Sequence, residues 1–330
     1  MRSALFTFLG ILILLAVAAV ALFAWLTRTP PPAAPPAPAS GERMVEAAGM
    51  NWRVREEGPR NAPAIVLIHG FSHSLESFDG WADALSDGYR VIRFDLPGHG
   101  VTGPRTDNAY SNEDTAAQVA DLIDTLGLDR FVIGGNSLGG LVAWRYAAAN
   151  PDRVTALVLV SPGGYSINNV GDEPVEVPLP VQLYLRLAPE AGVRMAMQSL
   201  YGDPSRLTDE RVAQVGQMMR QPGVGEALIT RLTQFTLPDP EPLLAAVSAP
   251  ALILWGDSDI IVPASHGPRF AAVIPDARLI TYPGVGHALV EEIPEESARD
   301  VRVFLEGLRD RPLRGARLIL EHDLGCRTLC

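Results

Sequence analysis

The residues best suited to chemistry lie at Gly135-Asn136-Ser137-Leu138-Gly139, a G-x-S-x-G pattern. The apolar run Phe131-Val132-Ile133 before it reads as a buried strand. Leu141-Val142-Ala143-Trp144-Arg145-Tyr146-Ala147 after it reads as a helix. A sharp strand-to-helix turn leaves no room for bulky Cβ groups on either side of the serine, and Gly135 and Gly139 meet that need. Ser137 then stands at a helix N-terminus, where backbone N–H groups and the helix dipole favour developing negative charge. A serine hydroxyl is a poor nucleophile until a base removes its proton, and that base needs an orienting carboxylate.

Six histidines are present. His69 sits in a loop after an early strand, with His73 just beyond it. His99 lies in a Gly-bounded turn and reads as structural, His266 in the first turn of a helix and His322 in the tail. His287 differs, because it closes Pro283-Gly284-Val285-Gly286-His287, a Gly-rich loop after the last strand. The carboxylate comes from Trp255-Gly256-Asp257-Ser258-Asp259, which follows the preceding strand, and by position either aspartate is within reach. The order Ser, Asp, His along the chain is one of the known triad orders.

These groups meet only if the elements before them end on one edge. Residues 64–68 form a continuous apolar run, as expected of a strand buried on both faces. Residues 50–55 alternate like an early edge strand, and further strands fall at 89–94, 154–160, 251–255 and 277–282. Helices are expected at 81–85, from a capping-box-like Ser111 to Gly127, and over 293–308. Strands separated by helices mean βαβ units and a mostly parallel sheet, whose carboxyl ends share one edge. The rhythm breaks over 161–249, where proline clusters precede four helical runs and no buried strand appears. This stretch reads as a helical cap over the sheet's carboxyl edge, where ligands bind in open α/β sheets.

The chain has 330 residues and a formal net charge of −11, with no basic stripe to neutralise phosphates, so nucleic acid is not an expected partner. Its only cysteines, Cys326 and Cys330, lie in the last five residues, so the core has no disulfide framework and no thiolate metal site. Residues 4–26 carry no charge and are long enough to span a bilayer as a helix. The competing reading is a cleaved signal peptide, but a cleavable apolar region is usually shorter, so an uncleaved anchor is expected. Residues 29–40 are rich in proline and alanine and read as an extended spacer. The expected organisation is an anchor at 1–28, the spacer at 29–40, a core at 41–160 and 250–310, the cap at 161–249 and a tail at 311–330. The catalytic part is expected outside the cytoplasm, on a single-pass anchor.

From about residue 41 to 308 the chain resembles the α/β-hydrolase superfamily. Four separated motifs carry the resemblance: HGFS at 69–72, DLPGHG at 95–100, GNSLG at 135–139, and WGDSDIIVP with the later GVGH. It implies an α/β-hydrolase fold with a helical cap, and a Ser-His-Asp triad of Ser137, His287 and Asp259. Asp259 is preferred over Asp257 because the family's G-x-x-D-x-x-[IV]-P pattern puts the acid on the second aspartate. The implied oxyanion donors are the backbone N–H groups of Phe71 and Leu138. No metal or organic cofactor is implied. Ser137 argues against members with an aspartate nucleophile, such as epoxide hydrolases. HGFS and DLPGHG look like membrane-anchored monoacylglycerol lipases, which implies hydrolysis of carboxylic esters, with an acyl-lipid or small apolar ester as substrate. The alternatives are C–C hydrolysis of the meta-cleavage-product type, whose members often carry a tryptophan after the catalytic histidine where this chain has Ala288, and a non-catalytic binding protein of the same fold.

Overall fold

The computed structural model describes residues 38–309, and its frame is one eight-stranded sheet. The chain enters through a hairpin, β1 (Glu42–Ala47) and β2 (Met50–Glu57), turned at Ala48 and Gly49. Both turn residues have positive φ, as a two-residue turn matching strand twist requires. Then come β3 (Ala64–Ile68), helix α1 (Asp79–Leu85), β4 (Arg90–Phe94), α2 (Asn112–Thr125), β5 (Phe131–Asn136), α3 (Leu138–Ala149) and β6 (Val154–Val160). A helical insertion holds α4 (Leu179–Leu187), α5 (Glu190–Gln198), α6 (Asp209–Met219), α7 (Val224–Gln234) and the short α8 (Glu241–Leu244). The sheet resumes with β7 (Ala251–Gly256), α9 (His266–Val273) and β8 (Ala277–Tyr282), and the described chain closes with α10 (Leu289–Glu292) and α11 (Pro294–Arg309).

Strand order is β1-β2-β4-β3-β5-β6-β7-β8, antiparallel only where β2 meets β1 and β4. The expected mostly parallel sheet is therefore present. The central strands alternate between two buried layers. Val66 and Ile68 of β3 face the layer built with α2, α3 and α9, and Ile65 and Leu67 face the one built with α1 and α11. Both faces being covered explains why these strands read as unbroken apolar runs. Ser111 caps α2 as expected: its side chain accepts the Asp114 N–H, and the Asp114 carboxylate accepts the Ser111 N–H.

One expectation needs correction. Residues 50–55 are not an edge strand, because β1 lies outside them. In β1 only Val45 and Ala47 are buried, among exposed Arg43, Met44 and Glu46, so its alternation carries little apolar signal.

The insertion between β6 and β7 adds no strand to the sheet and has an apolar cluster of its own, including Leu185, Val193, Met197, Val215, Met219 and Leu228. Phe71 of the loop after β3 packs against both this cluster and the main core. The expected membrane segment at 4–26, most of the spacer, and the tail with His322, Cys326 and Cys330 lie outside the described residues. Among the described residues, no helix is long and apolar enough to cross a membrane.

Candidate active site

The turn at Ser137 is built by close contacts that only glycine allows. A Cβ on Gly139 would lie 1.9 Å from the Ile68 carbonyl oxygen, and one on Gly135 would lie 2.3 Å from the Gly139 carbonyl carbon. Ser137 itself has φ 55° and ψ −114°, a strained conformation for a residue with a side chain. Its backbone is held on both sides: its N–H donates to the Val160 carbonyl at 3.0 Å, and its carbonyl accepts from Leu141 at 2.9 Å and Gly163 at 3.0 Å. Leu138 opens α3, so its N–H has no acceptor within the helix. Phe71 follows Gly70 across the site, and a Cβ on Gly70 would lie 3.4 Å from the Ser137 Cβ.

His287 arrives on the loop after β8, and its Nδ1 is 2.7 Å from Asp259 Oδ2. Asp259 Oδ1 is occupied by the N–H groups of Ile261 at 2.8 Å and Val262 at 2.9 Å, so Oδ2 is the oxygen left for the imidazole. The carboxylate is an acceptor, so Nδ1 carries the proton and Nε2 keeps its lone pair. Asp257, the other aspartate in reach by sequence, does something else. Its Oδ1 accepts the Gly284 N–H at 2.7 Å and so braces the loop that carries His287. Further braces come from Glu292, which accepts the Gly286 N–H at 2.8 Å, and from the Ala288 N–H donating to Leu200 O at 2.9 Å.

Ser137, His287 and Phe71 line one cavity of about 270 Å³. The sheet edge forms its floor, and Tyr184, Met197, Leu200 and Val215 of the insertion form much of its wall. Its lining is mostly apolar, with His73 and Glu291 among the polar exceptions. Burial drives the Glu291 carboxyl upward, but the paired Arg211 guanidinium outweighs that and holds it at about 2. Arg211 donates to it at 2.8 and 2.6 Å.

The other early histidines are structural by their bonding. His69 donates from Nδ1 to the Gly70 carbonyl at 2.7 Å and accepts the Leu96 N–H at Nε2 at 2.9 Å. Complete burial pushes its pKa down to about 3, so it is neutral. His99 lies against it with ring centroids 5.1 Å apart and is also neutral, again through burial. His266 packs against Tyr165 instead.

Three residues of the site were not predicted. Asn136 donates from Nδ2 to the backbone carbonyls of Val160 at 3.1 Å and His287 at 3.3 Å, tying the serine turn to the histidine loop. A buried amide at a strand end inside the motif was its only signal. Glu291 and Arg211 had none, since they are 80 positions apart and meet only in three dimensions.

The surroundings of this site have clear relatives. A family model described as alpha/beta hydrolase fold matches residues 63–294. A 2-hydroxy-6-oxononadienedioate/2-hydroxy-6-oxononatrienedioate hydrolase of Dechloromonas aromatica is 32% identical over 253 residues, covering 73% of this chain and 86% of its own. Lipase 3 of a Moraxella strain is 25% identical over 272 residues, covering 82% and 84%. Among solved structures, a membrane phospholipase A described as a bacterial virulence factor superposes with a TM-score of 0.71 at 24% identity, covering 92% of this chain and 99% of that one. The family model alone covers more than half of the chain, which is therefore a hydrolase belonging to the α/β-hydrolase fold family.

Proposed function

We propose that the protein is a serine hydrolase of carboxylic esters, acting through Ser137, His287 and Asp259. The observation that carries this reading is the 2.7 Å Asp259–His287 pair, opening onto the same cavity as a serine on a strained turn. In the proposed reaction, Ser137 Oγ attacks the ester carbonyl while His287 Nε2 takes its proton. The tetrahedral oxyanion accepts hydrogen bonds from the Phe71 and Leu138 N–H groups, each donor of this kind contributing about 10²–10³ in rate. The alcohol leaves with the proton held by His287. Water activated by the same imidazole then attacks the acyl-enzyme, and the acid is released. The helical insertion acts as the cap whose side chains bound the acyl group. An uncharged segment at 4–26 and the spacer after it support a single-pass anchor holding this domain at a membrane, outside the cytoplasm, where acyl lipids are available.

C–C hydrolysis is the second reading, favoured by the Dechloromonas relative. A dienedioate carries two carboxylates, whereas Arg211, the cation beside this cavity, is spent on Glu291, Gln214 and Ser77. His73, lining the same wall, is disfavoured as a cation by burial. A mostly apolar wall whose one carboxylate is already paired, with no spare cation among the described lining residues, suits a neutral ester better.

The test is hydrolysis of p-nitrophenyl esters from acetate to palmitate by the full chain and by Ser137→Ala. Activity abolished in the variant supports the serine esterase. Equal inertness of both on every ester, with turnover of a dienoate by the wild type alone, moves the assignment to C–C hydrolysis. Absence of labelling by a serine-directed phosphonate points to a binding protein. For the anchor, the full chain sediments with membranes and a chain starting at residue 38 does not. Equal sedimentation of the two rejects it.

A further inference from the structure

Ser72 has φ 59°, a left-handed conformation unfavourable for a residue with a Cβ, so something must hold the Phe71–Ser72 turn in place. His73 does so directly: Nδ1 is 3.0 Å from the Phe71 carbonyl oxygen, and its backbone N–H donates to Gly70 O at 3.4 Å. The turn sets the direction of the Phe71 N–H, one of the two proposed oxyanion donors. The His73 ring, disfavoured as a cation by burial, packs against Glu291 with Nε2 3.8 Å from Oε1, a packing contact and not a hydrogen bond. Glu291 lies on α10, four residues after His287, and its carboxylate is gripped from the insertion. Arg211 of α6 binds both oxygens, at 2.6 Å to Oε1 and 2.8 Å to Oε2, and also donates to Ser77 Oγ at 3.1 Å. Tyr201 Oη, in the loop after α5, donates to Oε2 at 3.0 Å.

The pair is largely shielded from solvent, with 13% of the Arg211 side chain and 8% of the Glu291 side chain accessible. A shielded ion pair adds little net stability over an apolar pair of the same shape, but breaking one half of it is costly. Its value lies in register, because a guanidinium fork on a carboxylate fixes distance and angle together. Here the register is that of the insertion relative to the oxyanion turn.

We infer that Arg211 is a positioning residue: through Glu291 and His73 it makes the geometry of the Phe71 donor depend on seating of the helical insertion. The insertion therefore serves the chemical step as well as bounding the substrate. This rests on the ester-hydrolase reading above.

The test uses the full chain with p-nitrophenyl butyrate and rates normalised per active site by phosphonate titration, so that misfolded protein does not count. Arg211→Met is expected to lower kcat about ten- to hundredfold, short of deleting a donor outright, with KM changed by less than about threefold. Arg211→Lys keeps the charge without the fork and is expected to recover part of the loss. A tetrahedral boronate should bind more weakly to each variant in proportion to its loss in kcat/KM, while the product acid binds as to wild type. If Arg211→Met does not fold, Arg211→Lys and Glu291→Gln decide by the same per-site readout. A per-site kcat within twofold of wild type, or a loss carried wholly by KM, overturns the inference while leaving the esterase reading intact. A wild type that neither turns over the ester nor titrates removes both together.

Discussion

Replacing Asp259 with asparagine should cost far more activity than its size suggests, and the reason is a proton. Oδ1 of Asp259 accepts from two backbone N–H groups, those of Ile261 at 2.8 Å and Val262 at 2.9 Å. An asparagine must put its carbonyl oxygen there, since its NH₂ facing two donors would lose two hydrogen bonds worth about 1 kcal/mol each. The NH₂ then occupies the Oδ2 position, 2.7 Å from His287 Nδ1, and can only donate. Nδ1 becomes an acceptor and the ring proton moves to Nε2, the nitrogen that receives the serine proton in the proposed reaction. The expected loss in kcat is about 10⁴, as wrong-tautomer triads show, or about 5.5 kcal/mol in the barrier. Stability should change little, because the backbone bonds survive. Asp257→Asn is the control. Its carbonyl oxygen can keep the Gly284 N–H that Asp257 now accepts at 2.7 Å, so kcat should stay within about threefold. The assay is initial-rate ester hydrolysis with urea denaturation alongside. Asp259→Asn within tenfold of wild type, or Asp257→Asn the more damaging of the two, refutes the reasoning.

Gly139→Ala should destabilise by about 3 kcal/mol or more, because the new Cβ meets the Ile68 carbonyl oxygen at 1.9 Å and neither backbone can yield. Gly127→Ala, which adds the same Cβ but at φ 66° with nothing within 4 Å, should cost only about 1 kcal/mol; urea midpoints separate the two, and equal losses reject the steric argument. Acid should weaken the fold early. His69 is held at about 3 by burial against 6.5 in the open chain, so the unfolded state takes up its proton first; stability is full above about pH 6.5 and falls by about 1.4 kcal/mol per pH unit below it. His73 and His99, depressed by burial, add in the same direction, while Asp95, raised by burial to about 6, offsets part of the loss. A urea midpoint at pH 5.5 equal to or above that at pH 7.5 contradicts this. Met197 is buried in the insertion's cluster and lines the cavity, so Met197→Ala should move the ester optimum toward longer acyl chains, and an unchanged chain-length profile would count against the insertion as the acyl wall.

What could be read in advance followed from interactions local in sequence. The strands at 64–68 and 154–160 are where the apolar runs put them, because strands covered on both faces need no partner to be recognised. The capping box at Ser111 spans three residues and closes on itself. Gly135 and Gly139 announced a tight turn before its contacts were visible, since a turn of that kind excludes Cβ groups. Strand β1 was missed because two buried side chains among exposed ones make too weak a pattern, and only pairing with β2 defines it.

The site divides along the same line. Ser137 and His287 could be named from motif and chain order, and with a parallel sheet their loops had to share an edge. The choice between Asp257 and Asp259 on residues alone stayed open, because both lie within one loop and its fold decides which carboxylate faces the imidazole. The tertiary structure does this by using two backbone N–H groups to take one oxygen of Asp259 and the Gly284 N–H to hold Asp257 aside. Arg211, Glu291 and His73 lie wholly on the tertiary side. They sit on the insertion, on the segment after His287 and on the loop after β3, and no local period links positions 73, 211 and 291. Sequence spacing encodes what a strand, helix or turn does by itself. Which charges meet when the insertion seats on the sheet depends on packing between segments, and only the folded chain sets that.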